Sequence, residues 1–395
     1  MKTSARVNQI KPAATRQITD ISNAMKAKGI KAISLAMGEP DFPTPEAGIE
    51  YAIKAMQEGH THYTPTQGIV ELRKEISTYY KERFNLDFNL NQITTGTGAK
   101  LLIYEALGVL VDPGDEVIVI KPAWVSYVEQ IRLLNGVPVF VDTRKNNFQP
   151  DIRDIYNAIT DKTVAVIVNS PNNPTGALYQ DEFWIDLCRL AMEKDFVIIN
   201  DEVYERLCYE RAYVNPLQLC PEAANHIITI NGVSKSYAMT GWRIGFAVGC
   251  ENLISKMIKL QGHLTSGSSS IAQWASVGVL REAQDKVEAM KDEYLERRNF
   301  VLSKLAEMPY IKTSKPEGAF YLLPDISGCY GLKCDGKEII DDVSFCALLL
   351  EKSAVALVPG NAFLCDDHIR ISYAASIEEL SNAMDKMKSF LMGLA

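Results

Sequence analysis

Five short runs in the middle of the chain, at 117–120, 137–141, 164–168, 196–200 and 226–230, are predominantly apolar and rich in valine and isoleucine. A strand with one wet face alternates apolar and polar residues. Runs like these must be covered on both faces, and helix-like spacing fills most of the intervals between them. Strands buried on both sides and joined by helical crossovers predict a mostly parallel sheet between helices. Ligands in such sheets bind beyond the carboxyl ends of the strands. The residues that follow each run are therefore where chemistry is expected.

The flanks read differently. Ile18, Ile21 and Met25 fall at helical spacing before Gly29, a suitable C-terminal cap, and a short strand is predicted at 32–36. Thr44 as N-cap with Pro45 at the first helical position starts a helix that carries Ile49, Ile53 and Met56 inward and ends at Gly59. A further helix puts Leu72, Ile76 and Tyr80 on one face, and a strand at 93–95 leads through glycines into a helix from Ala99. After Ser270 the pattern turns to long helices up to about Glu307, then to strands near 319–323, 354–358 and 368–373. A chain of 395 residues is long enough for two to three domains. The expected fold is α/β: a large domain over 46–284, and a smaller α+β domain built from both chain ends, 1–45 and 285–395.

Composition narrows the partners. A net charge of -8 leaves no basic stripe for nucleic acid or an anionic membrane. No apolar run reaches the ~18 residues of a membrane span, and residues 1–11 lack the hydrophobic stretch of a secretory signal. The eight cysteines and five histidines show no ligand spacing, so free thiols in a cytoplasmic protein without a metal are expected.

The strand ends carry the signals. After the run at 226–230 comes Gly232-Val-Ser234-Lys235-Ser-Tyr-Ala-Met-Thr-Gly241-Trp-Arg243-Ile-Gly245. A desolvated lysine loses its proton and becomes an amine nucleophile, while Arg243 offers a planar fork for an oxyanion. A surface lysine and arginine beside a helix would read the same way. Asp201 directly follows the run at 196–200; it is either a helix N-cap or a buried acid facing a cation. Asn173 sits in Ser170-Pro-Asn-Asn-Pro-Thr-Gly176, a loop stiffened by two prolines. Gly96-Thr97-Gly98-Ala99-Lys100 lets backbone N–H groups approach an anion at a helix start. The same Gly-x-Gly begins a dinucleotide fingerprint, but Leu101 occupies the third glycine position. Trp124 lies just past the run at 117–120, as a ring-stacking face or as plain core. Arg370 lies in an alternating strand, where it needs an anion or a solvated face.

Taken together these stretches resemble the class I aminotransferases, pyridoxal phosphate enzymes of fold type I, most closely the bacterial aspartate aminotransferase subgroup. The lysine segment, Asp201-Glu-Val-Tyr204, the Ser170–Gly176 string, Gly38-Glu-Pro-Asp-Phe, Tyr63-Thr-Pro and Arg370-Ile-Ser-Tyr-Ala stand in the family's order. The resemblance implies pyridoxal 5'-phosphate held covalently by Lys235, which also moves the substrate's Cα proton. Asp201 would face the pyridinium nitrogen, Tyr204 and Asn173 the ring oxygen, and Trp124 the ring. Gly98, Ala99, Lys100, Ser234 and Arg243 would take the phosphate, with Tyr63 reaching the phosphate of a neighbouring subunit in a homodimer. Arg370, Asn173, Trp124 and the main chain of Gly38 would hold the substrate, and Lys100 a distal carboxylate. Two positions where the subgroup places serines for that carboxylate are Ala13 and Gly262 here; Thr15 remains and Arg16 is an additional cation. The implied activity moves an amino group from an L-amino acid, aspartate first, to 2-oxoglutarate by a ping-pong route. An aromatic or neutral donor, a pyridoxal phosphate lyase on the same fold, and a nicotinamide dehydrogenase built on Gly96-x-Gly98 are the alternatives.

Overall fold

Valine and isoleucine crowd the central strands because both sheet faces are dry, and the period of two sorts them between the faces. Val117, Val119, Ala165, Ile167, Ile199 and Ile228 join one buried cluster. Their neighbours Ile118, Ile120, Val166, Val168, Ile198 and Ile227 join another on the opposite side. The computed structural model describes residues 2–10 and 32–395. After the short β1 (Ile33–Ser34) come β2 (Ile93–Gly96), β3 (Glu116–Lys121), β4 (Val137–Asp142), β5 (Thr163–Asn169), β6 (Val197–Asp201), β7 (Ile227–Gly232) and β8 (Gly245–Gly249). The last seven form one sheet in the order β2-β8-β7-β6-β5-β3-β4. Pairing is parallel from β4 through β7, and β8 runs antiparallel to both β7 and β2. Sequence patterning missed β8 because its text, Gly-Phe-Ala-Val-Gly, is short and bracketed by glycines.

The antiparallel setting of β2 disposes of the dinucleotide reading. A nicotinamide fingerprint opens a parallel βαβ unit, whereas the strand before Gly96-x-Gly98 is an edge strand whose one partner, β8, runs the other way.

A second core gathers the remainder. β9 (Tyr321–Leu322), the hairpin β10 (Lys333–Cys334) and β11 (Lys337–Glu338), β12 (Val355–Ala356), β13 (Val358–Pro359) and β14 (Ile369–Ser372) follow in the chain. β13, β14 and β9 make an antiparallel sheet, while β12 pairs in parallel with β1. N-terminal Leu35 thus shares a core with Val301, Phe345, Ile369 and Met387. The long helical stretch is two helices, Ser270–Glu282 and Gln284–Leu305, broken at Ala283.

Two local expectations need correction. The helix Glu46–Gln57, α1, is capped by Pro45; the Thr44 hydroxyl instead accepts a hydrogen bond from the Trp242 indole at 2.9 Å. The stripe Ile49, Ile53 and Met56 faces outward at 43%, 45% and 52% exposure. Gly48, Ala52 and Ala55 form the buried side. Small residues win that face because α1 lies close against the helix Ser270–Glu282: a methyl at Gly278 would stand 2.6 Å from the Ala47 carbonyl. Leu72, Ile76 and Tyr80 are buried together as expected. The helix predicted around Ile18, Ile21 and Met25, together with Ala13, Thr15 and Arg16, lies outside the described residues. Among the described residues no helix is long and apolar enough to cross a membrane, and all eight cysteines are unpaired.

Candidate active site

The carboxyl ends of β3, β5, β6 and β7 open into a cavity of about 320 Å³ whose far wall comes from β9 and β14. Its lining includes Gly38, Ala99, Lys100, Trp124, Asn173, Asp201, Tyr204, Ser234, Lys235, Arg243 and Arg370. Residues spread over most of the sequence therefore meet at one place, where strand-end geometry puts ligands.

Lys235 follows β7 in a single helical turn, Val233–Ser236. Its ammonium donates to the Gly38 carbonyl at 2.6 Å. Burial pushes its pKa down to about 8, Glu39 opposing this and Arg370 and Arg243 adding to it. At pH 7 about a tenth is thus the free amine, far more than for an ordinary lysine, and that is the form a nucleophile or proton carrier requires. Asp201 ends β6 and is 3% exposed. Burial raises its pKa to about 6, and a 2.5 Å hydrogen bond from the Tyr127 hydroxyl counteracts it. No lysine, arginine or histidine forms an ion pair with it among the described residues. Lys235 acts on it only through space, so a buried carboxylate outside any ion pair fits a pyridinium nitrogen, which would supply a directly paired charge.

Asn173 is held from both sides. Its main-chain N–H donates to Asn169 Oδ1 at 2.8 Å, and Asn169 Nδ2 donates to the Asp201 carbonyl at 2.9 Å. Its side-chain oxygen accepts from Arg370 Nη1 at 3.0 Å, and Arg370 Nη2 donates to the Ala36 carbonyl at 2.6 Å. Arg370 is 2% exposed, its Nε has no hydrogen-bond partner, and burial lowers its pKa. The guanidinium lies over the rings of Tyr321 and Phe363, 4.4 and 4.7 Å from their centroids. An arginine desolvated to this degree, without a facing carboxylate, is a receptor for one. Changing Arg370 to lysine should raise KM for amino acid substrates by about 10- to 100-fold, since a charge-assisted bond of about 1.5–3 kcal/mol and the planar fork are lost. Steady-state kinetics checks it; an unchanged KM would show that the carboxylate binds elsewhere.

At the opposite end, Gly98 caps the helix Ala99–Leu110, α2, with φ +81°. The Arg243 guanidinium lies where a Gly98 side chain would go, and a side chain at Gly245 would collide with the Gly98–Ala99 backbone. These two glycines bring the helix start, Ser234 and Arg243 together, an arrangement suited to a dianion such as phosphate. Arg243 itself donates to the Thr240 carbonyl at 2.8 Å. Trp124 lines the cavity, with Lys100 Nζ 4.7 Å over its ring and Tyr127 packed edge-on at 5.3 Å. Burial and the nearby Arg243 lower the Lys100 pKa. The cavity's charged lining is thus four cations, Lys100, Lys235, Arg243 and Arg370, against the single carboxylate of Asp201, a hollow built for anions.

Two named positions stand apart. Tyr63 is fully exposed and belongs to a separate surface recess with Thr61, His62 and Gly267. Gly262 lies within the helix Glu251–Leu264 and is not a cavity residue. The structure also brings in Tyr127, Tyr321, Asn169 and Thr240, which patterning did not single out. Neither Tyr127 nor Tyr321 carried a signal of its own: a buried tyrosine looks like core until its neighbours are known.

The family model "Aminotransferase class I and II" matches residues 30–387. The chain belongs to that family. It is 40% identical over 393 residues to the aspartate aminotransferase of Bacillus subtilis (strain 168), covering 99% of each chain. It is 41% identical over 389 residues to that of Thermotoga maritima, covering 98% of this chain and 99% of the other. The solved structure of the aspartate aminotransferase from Thermus thermophilus with maleate superimposes with a TM-score of 0.93 at 38% identity, over 99% of this chain and 100% of that one.

Proposed function

We propose that this protein is a pyridoxal 5'-phosphate-dependent aminotransferase that takes the amino group of aspartate and gives it to 2-oxoglutarate, as a cytoplasmic homodimer. One observation carries the reading. Among the described residues, a buried carboxylate outside any ion pair (Asp201), a desolvated lysine (Lys235) and a buried arginine outside any ion pair (Arg370) line a single cavity. These are the complements of a pyridinium, an aldehyde and an amino acid. The aspartate aminotransferase relatives, full-length at about 40% identity, support the choice of substrate.

Bound there, the cofactor supplies an electron sink and a temporary home for the amino group. The chain's own residues do the rest. Asp201 keeps the ring nitrogen protonated, Trp124 covers the ring, and Tyr204 and Asn173 hydrogen-bond its oxygen. The N–H groups of Gly98, Ala99 and Lys100 hold the phosphate with Ser234 and Arg243. Arg370, Asn173 and Gly38 orient the substrate α-carboxylate, and Lys100 takes the distal one. Lys235 holds the cofactor at rest and carries the Cα proton during turnover.

Tyr63 is assigned to the phosphate of the neighbouring subunit. Its complete exposure, and the outward stripe of Ile49, Ile53 and Met56, favour a surface that a second copy covers. We place the division between large and small domains at 45/46 and 284/285.

A half-reaction screen tests the substrate: each amino acid is added to the cofactor-loaded enzyme and the visible band is followed. Aspartate and glutamate should bleach it. A response confined to neutral amino acids would remove aspartate, and pyruvate plus ammonia released from serine or cysteine, whose β-substituents can leave, would make the protein a lyase.

A further inference from the structure

Tyr321, at the start of β9, is 1% exposed and touches three parts of the site at once. Its ring lies under the Arg370 guanidinium at 4.4 Å. Its hydroxyl is 3.0 Å from the Tyr204 hydroxyl, the two rings meeting edge-on at 5.8 Å. It also stands where a Gly38 side chain would be, since a Cβ there would come to 2.5 Å from Tyr321 Oη. Gly38 in turn accepts the Lys235 ammonium through its carbonyl. The carboxylate subsite, the ring-oxygen subsite and the resting place of Lys235 are thus in contact with one phenol.

We propose that Tyr321 is a positioning residue which strengthens Tyr204 as a hydrogen-bond donor, the Tyr321 hydroxyl donating to the Tyr204 oxygen so that Tyr204 directs its own proton into the cavity. The inference rests on the cofactor reading above. The site's chemistry selects this direction. Against the effect of burial, Arg370 lowers the pKa of both phenols, but it stands directly over the Tyr321 ring and is the larger influence there, so it favours negative charge on the Tyr321 oxygen and makes that O–H the better donor. Burial raises the pKa values of both phenols, so each keeps its proton at neutral pH. A phenol that accepts one hydrogen bond donates a stronger second one, by about 10–30% per link in a low-dielectric site. Two hydroxyls in series therefore stabilise anionic character on the ring oxygen better than Tyr204 alone. The contact also explains why Gly38 has no side chain: one would push the Tyr321 hydroxyl off Tyr204.

The test reads the cofactor band and does not depend on turnover. Without the Tyr321 hydroxyl, Tyr204 is a weaker donor and the ring oxygen it faces is more basic. A more basic oxygen keeps the proton of the neighbouring Lys235 nitrogen to higher pH. In the pyridoxal phosphate-loaded enzyme, Tyr321→Phe should raise the apparent pKa of the visible band by about half a unit. Its KM for aspartate should change little, because the ring under Arg370 remains. In a Tyr204→Phe background, Tyr321→Phe should produce no further shift, because the link it acts through is gone. An unmoved band in the single variant overturns the proposal, as does an equal shift in both backgrounds. A wild-type protein that shows no band at all overturns the cofactor reading and this inference with it. Tyr321→Leu, which also removes the ring from beneath Arg370, should add a rise in KM to the same band shift; a variant with the KM rise alone would leave Tyr321 as packing and overturn the proposal.

Discussion

Lys235→Ala should abolish turnover, lowering kcat for the aspartate reaction by about 10⁴-fold or more, while the protein still binds pyridoxal phosphate. The loss combines two functions in one atom, Nζ: covalent attachment of the cofactor and transfer of the Cα proton. Proton transfer by a positioned group alone is worth about 10²–10⁴, and the covalent role adds to it. Binding survives because the remaining contacts do not use this lysine: Arg243 and the α2 N-terminus at one end, Asp201 at the other, Trp124 between them. The check is stopped-flow absorbance on the reconstituted variant, with cofactor retention measured by ultrafiltration. Retained activity near wild type would leave Lys235 a structural donor to Gly38 and nothing more.

Asp201→Asn should cost activity and add stability to the cofactor-free chain. The carboxylate favours the protonated ring by about 1–3 pKa units, or roughly 1.4–4 kcal/mol, so kcat should fall by about 10- to 1000-fold. Tyr204→Phe, which removes a single neutral donor, should cost far less; comparable losses would discredit the electron-sink role of Asp201. The stability effect follows from the raised pKa. Burial lifts Asp201 from 3.8 to about 6, so between those values the folded chain binds more protons than the unfolded one. The stability from this group is fully present below about pH 4 and is lost as pH rises through 6, a difference of about 3 kcal/mol by order of magnitude. Asparagine carries no such penalty. The variant minus wild-type difference, measured by urea unfolding of the cofactor-free proteins, should be small at pH 4 and grow to its full value by pH 7. Other buried acids with raised pKa values, Glu105 and Glu202 among them, are common to both proteins and cancel. Adding cofactor should reverse the order, because only the carboxylate gains a partner.

Both predictions concern residues that the sequence alone singles out, and the reason is physical. Lys235, Asp201 and Asn173 each stand directly after a run of buried strand or in a proline-stiffened loop behind one. A local rule places such residues at the ligand-binding edge of the sheet. Gly98 was legible for a similar reason, as a point where backbone approaches an anion; the close packing of Gly245 against it was not. The outward turn of Ile49, Ile53 and Met56 was not legible. A helical stripe of large apolar residues predicts a buried face, and only the close approach of α1 to the helix Ser270–Glu282 reveals that alanines and a glycine occupy it instead. β8 was missed because five residues framed by glycines give no periodic signal. Tyr127 and Tyr321 were missed because buried tyrosines are ordinary core residues until a neighbouring carboxylate or guanidinium gives them a task.

The chain's text alone determined the layered sheet, the edge at which chemistry happens and the residues presented there, because each depends on short-range rules of strand burial, loop stiffness and backbone freedom. Which of those residues face one another was decided by folding. Arg370 meets Asn173 and Tyr321, Lys235 meets Gly38, and Tyr127 meets Asp201 across long stretches of sequence. Desolvation at those meetings sets the charge each group carries, and neither proximity nor desolvation is written in local spacing.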